Sequence, residues 1–144
     1  MKVVPLSDKN PTAMVWLRND LRSQDQKSFA LAVKSGLKVM AYYSFDPHQF
    51  KTTKWGFKKT DAYRAKFLIE TLSELKKTLN DLNISLIVDN IEPTIGIVNW
   101  VKILNVKEIY FQKEWTQEER FIENKLRSNL DSEINFHSNY DQFL

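Results

Sequence analysis

The chain has 144 residues, 21 Lys and Arg against 18 Asp and Glu, a formal net charge of +3 and no cysteine. That length suits one domain able to bury roughly 70% of its unfolded surface. The missing cysteines exclude a disulfide framework, thiolate-held zinc and a thiol nucleophile, and no apolar run reaches the ~20 residues of a membrane span.

Residues 1–12 lack a signal peptide's apolar stretch and read as a flexible leader. Ala13 to Leu17 is a short continuous apolar run, expected for a strand buried on both faces. Asp25 suits the N-cap of a helix through Lys34, with Gly36 as its stop. Leu37 to Phe45 predicts a second strand. Asp46 to Lys59 reads as a long loop, which in a compact domain usually has a task. Thr60 can cap a helix from Asp61 to Leu82, where Leu68, Leu72, Leu75, Leu79 and Leu82 form one apolar stripe. Ile84 to Val88 predicts a third strand. Pro93 suits the first turn of a helix whose Ile97, Val98, Val101 and Leu104 face inward. Glu108 to Phe111 predicts a fourth strand. Thr116-Gln117-Glu118-Glu119 reads as a capping box opening a helix with Ile122, Leu126 and Leu130 inside. Glu133 to Phe136 predicts a weaker fifth strand. Strands alternating with helices predict a three-layer, Rossmann-like α/β domain over 13–138, with a five-stranded parallel sheet.

Ligands of open parallel sheets bind beyond the carboxyl ends of the strands, where the strand order reverses. Three segments should meet there: Arg18 to Arg22, Asp46-Pro47-His48 and Lys113-Glu114-Trp115. Arg18, Asp20 and Arg22 can equally form local ion pairs that tie loops together. Between 51 and 66, Lys51, Lys54, Lys58, Lys59, Arg64 and Lys66 face one acid, Asp61. Six positive charges less one negative give that stretch +5, interleaved with Trp55, Phe57 and Tyr63. Such a surface suits an anionic aromatic ligand or single-stranded nucleic acid, and equally a solvated helix start. Trp16 and Trp100 follow apolar patterns and are expected in the core. His48 and His137 lack partners at metal-ligand spacing, so no metal is expected. Gly36, Gly56 and Gly96 are too widely spaced for a phosphate cradle, against a P-loop or ordinary dinucleotide enzyme.

Val15-Trp16-Leu17-Arg18-Asn19-Asp20-Leu21-Arg22, followed by Asp25, resembles the opening signature of photolyases and cryptochromes. Phe45-Asp46-Pro47 is similar to their segment after the second strand. Gly56-Phe57-Lys58-Lys59-Thr60 with Arg64, and Lys113-Glu114-Trp115-Thr116-Gln117-Glu118-Glu119, resemble the DASH-type cryptochromes most. The resemblance covers roughly residues 13 to 140. It implies a light-harvesting domain for an antenna chromophore, usually 5,10-methenyltetrahydrofolate, with a deazaflavin or flavin in some branches. FAD, DNA binding and light-driven repair or blue-light sensing would reside in a C-terminal helical domain, with 139–144 as the start of the linker to it. By the resemblance, Phe45, Asp46, Lys113 and Glu114 would contact the antenna, Glu114 presenting a carboxylate to the pterin ring. Arg18 and Asp20 would secure the domain junction. This chain alone is expected to be inactive as a lyase, cytoplasmic, without membrane contact and able to pair as a homodimer. Asn90 and Asp61 stand where relatives often carry glycine. The alternative is an interaction or nucleic-acid module that lost its chromophore, with Lys58, Lys59 and Arg64 as the anion contacts.

Overall fold

The computed structural model describes residues 10–18, 27–45, 62–112, 117–130 and 132–139. Five strands alternate with four helices. They are β1 (Thr12–Trp16), α1 (Lys27–Lys34), β2 (Lys38–Ser44), α2 (Ala62–Asp81), β3 (Ser85–Asp89), α3 (Pro93–Leu104), β4 (Val106–Gln112), α4 (Gln117–Asn129) and β5 (Asn135–Asn139). All described pairings are parallel, in the order β3-β2-β1-β4-β5. The α/β architecture and the five-stranded parallel sheet are those expected from the sequence.

β1 is central and buried along its whole length, which is why its sequence shows no polar alternation. Its side chains divide between two cores. Ala13, Val15 and Leu17 join Ala41, Tyr43 and Tyr110 under α1 and α2. Met14 and Trp16 join Met40, Tyr42, Ile109 and Phe111 under α3 and α4. The order reverses between β1 and β4, because β2 and β3 build outward on one side and α3 carries the chain back to the other. The register between β1 and β4 slips at Thr12/Ala13, where Lys107 is skipped.

Local chemistry ends the helices. Gly36 adopts φ 77°, and Asn105 (φ 52°) closes α3 with its N–H bonded to the Val101 carbonyl. The α2 stripe is shorter than its leucines suggest. Leu72, Leu75 and Leu79 are buried, whereas Leu82 is 58% exposed, because the helix stops at Asp81 and Asn83 turns left-handed. β5 begins two residues later than predicted and reaches Asn139, where it pairs with Gln112.

Candidate functional site

Parallel pairing brings the carboxyl ends of all five strands to one edge. Arg18, Phe45, Asp89 and Gln112 mark that rim, and the reversal between β1 and β4 lies in its middle. Of the residues singled out in the sequence, Arg18 and Phe45 are described there. Asp20, Asp46, Lys58, Lys59, Lys113 and Glu114 lie outside the described residues, as do Trp55, Phe57 and Trp115. Arg64 falls within α2, with its side chain outside them.

Arg18 reaches across to another element of the fold. Its Nη1 lies 3.8 Å from Oε1 of Glu123 on α4, with both side chains more than nine-tenths buried. Its guanidinium carbon sits 4.5 Å from the centroid of the Trp16 ring, a cation–π contact. The other carboxylate oxygen of Glu123 is 3.6 Å from Nε of Arg127, one helical turn on. Arg127 in turn lies 4.8 Å over the Phe136 ring of β5. These charge contacts are longer than hydrogen bonds. Among the described residues this cluster holds two arginines and one glutamate, a sum of +1.

The other half of the rim is built from neutral donors. The Tyr42 hydroxyl and the Trp100 indole N–H each donate to Oδ2 of Asp89, at 2.9 Å in both cases. One carboxylate thus joins β2, β3 and α3. Gly96 permits that closeness, since a Cβ there would overlap the Tyr42 hydroxyl. Phe45 N–H donates to the Asp89 carbonyl, and Ser44 Oγ donates to the Ile91 carbonyl, fastening the turn before α3. Burial pushes the Tyr42 phenol above its ordinary range, with the Asp89 hydrogen bond and charge adding to the rise. Trp100, expected in the core, is half-buried with its N–H used in this way.

Phe45 is partly buried at the end of β2 and meets Tyr43 edge-on, ring centroids 5.2 Å apart. An aromatic ring therefore ends β2 on the α1 and α2 side of the rim, while Arg18 ends β1 on the α3 and α4 side. That combination suits a planar aromatic ligand with an anionic group. His137 stacks on Tyr110 at 4.4 Å and lies 3.6 Å from Glu108. Among the described residues no three His, Cys, Asp or Glu gather as a metal centre would require, and no helix is long and apolar enough to cross a membrane.

Glu123, Asp89 and Gly96 escaped the sequence reading. Glu123 falls in phase with Ile122, Leu126 and Leu130, the signal that could have placed it on the inner face. Asp89 follows an apolar run, where a strand's last polar residue is usually taken for a turn.

The family model described as DNA photolyase matches residues 13–144. Cryptochrome DASH of Synechocystis sp. is 40% identical over 130 residues, covering 90% of this chain and 26% of its own length. Cryptochrome DASH of Gloeobacter violaceus is 36% identical over 119 residues, covering 83% and 24%. A crystal structure of a Synechocystis cryptochrome superposes with a TM-score of 0.83 at 36% identity, over 97% of this chain and 28% of that one. The chain thus spans about a quarter of the length of these relatives.

Proposed function

The chain belongs to the DNA photolyase and cryptochrome family, as its N-terminal α/β region, and from that premise we propose that it is an antenna-binding domain. Its ligand is an anionic aromatic chromophore, 5,10-methenyltetrahydrofolate in first place, seated at the carboxyl rim of the sheet. The antenna would absorb near-ultraviolet or blue light and hand the energy to FAD held in a separate helical domain. Pairing with that domain, and DNA contact through the whole protein, belong to the same reading.

The observation that carries it is the make-up of the rim at the strand-order reversal. At the end of β1 the Arg18–Glu123–Arg127 cluster lies on the α3 and α4 side of the sheet, and at the end of β2 the aromatic pair Tyr43–Phe45 packs on the α1 and α2 side. The first suits the carboxylates of a folate tail and the second a pterin ring. Asp46, Lys113 and Glu114 continue from the described ends of β2 and β4, and they are our candidates for the remaining contacts. Glu114 can accept paired N–H bonds from a heterocyclic edge, as carboxylates do with bases.

Catalysis lies outside this role. One sheet with its helices cannot by itself enclose a flavin and a flipped-out base and exclude water.

The test is titration with 5,10-methenyltetrahydrofolate, followed by absorbance and by pterin retained through gel filtration. A shifted band with retained pterin is expected. No shift and no retention, in this chain and in a full-length protein carrying it, overturns the assignment.

A further inference from the structure

Glu123 is only 6% exposed, on a helix whose other acids were expected to serve as caps. A buried carboxylate repays its desolvation only through close hydrogen bonds. Asp89, on the same side of the same sheet, shows that geometry, with two donors at 2.9 Å. Glu123 does not, since its two arginine contacts are 3.8 Å and 3.6 Å. Best stability is therefore a poor explanation for its place.

Its contacts converge instead on the direction of one side chain. Arg18 stands at the exit of β1, beside the strand-order reversal. Its guanidinium is held between the Trp16 ring and the Glu123 carboxylate. Arg127, on the far side of Glu123, rests on Phe136 and so anchors α4 to β5. The carboxylate therefore couples the outer strand and its helix to the end of β1.

We infer that Glu123 is a positioning residue for the binding rim: through Arg18 it fixes the shape and charge of the rim at the reversal point. The inference rests on the antenna reading above. It makes a claim opposite to simple electrostatics. Removing the Glu123 charge takes the cluster from +1 to +2, which alone would tighten an anionic ligand. If Glu123 instead sets the geometry, its removal weakens binding.

The experiment titrates the chain and three variants with 5,10-methenyltetrahydrofolate, reading the dissociation constant, the absorption maximum of the bound folate and the thermal midpoint. Glu123→Gln keeps the shape and removes the charge. Arg18→Lys keeps the charge and removes the planar fork. Both should weaken binding by about tenfold and move the band toward that of free folate. Leu79→Ala, a core truncation in α2 away from the rim, should lower the thermal midpoint and leave affinity and band unchanged. Unchanged or tighter binding by Glu123→Gln overturns the inference. Should that variant fail to fold, Arg18→Lys decides by the same criteria. A parent chain that binds no folate sinks the antenna reading itself, a different result from variants that bind as the parent does.

Discussion

The two halves of the rim bury polar side chains by opposite means. Around Asp89, neutral donors reach one carboxylate at hydrogen-bond length, and a glycine removes the last obstacle to their approach. Around Glu123, the buried charges of Arg18 and Glu123, and the exposed Arg127, stand at ion-pair distances that stop short of hydrogen bonds. The first arrangement locks β2, β3 and α3 together. The second spans the reversal between β1 and β4, where a ligand of this fold would sit. A sheet edge can thus be rigid on one side and hold adjustable charge on the other. Polar burial is evidence of function where its geometry falls short of what stability would select.

The sharpest way to break this comparison is to remove single partners and then both. Glu123→Leu removes the carboxylate facing the buried Arg18 and should cost about 3–5 kcal/mol in denaturant unfolding. Adding Arg18→Met should recover most of that loss, because an apolar pair of similar volume commonly matches a buried ion pair. If the double variant stays as unstable as the single one, the ion pair is a stabilising device and the contrast fails.

Asp89→Leu orphans the buried Tyr42 hydroxyl, at about 1–3 kcal/mol, and the half-buried Trp100 N–H at less, and no apolar partner restores it short of changing both Tyr42 and Trp100. The thermal midpoint and loss of the Trp100 environment in near-ultraviolet circular dichroism would show it. Gly96→Ala drives a methyl into the Tyr42 hydroxyl and should cost about 1–3 kcal/mol by overpacking. Combined with Tyr42→Phe, which vacates that space, it should lose clearly less than the sum of the two, as a double-mutant cycle measures.

The smallest effect is a pH dependence. Burial raises the Tyr42 phenol, so the folded chain holds its proton more tightly than the unfolded chain does. That contribution is complete below the unfolded phenol range, about pH 10, and is lost as pH rises above it. Tyr110, raised by burial and by the Glu108 charge, acts in the same direction. Urea unfolding at about pH 8 and about pH 11 should show Tyr42→Phe losing about 1 kcal/mol at the lower pH and less at the higher. An equal loss at both would remove Tyr42 from the alkaline transition.

Much of this fold was legible because its signals are local. Val15-Trp16-Leu17 reads as a doubly buried strand, since no side of it tolerates water. Pro93 marks the start of α3, and Gly36 the turn after α1, through backbone constraints that need no partner. The α2 leucines were legible as a stripe but not in extent, because Leu82 keeps the spacing after the helix has ended. Of the site, the sequence put Arg18 and Phe45 after the first and second strands, where the structure has them, yet the contact of Arg18 with Glu123 was not legible. Glu123 looks like any helical acid until α4 is laid against β1. Trp100 followed an apolar pattern, which shows that it turns inward without showing that its N–H would meet Asp89.

The sequence by itself determined the alternation of strands and helices, the parallel class of the sheet and the family resemblance. Each is written in short-range periodicity, or in runs of residues whose neighbours along the chain suffice to interpret them. Only the tertiary structure decided that β4 lies beside β1, that α4 carries Glu123 to Arg18, and that Tyr42, Asp89, Gly96 and Trp100 meet at one point. Apolar spacing specifies which face of an element is buried. Which element covers that face follows from the packing of the whole chain, where no local pattern distinguishes one suitable partner from another.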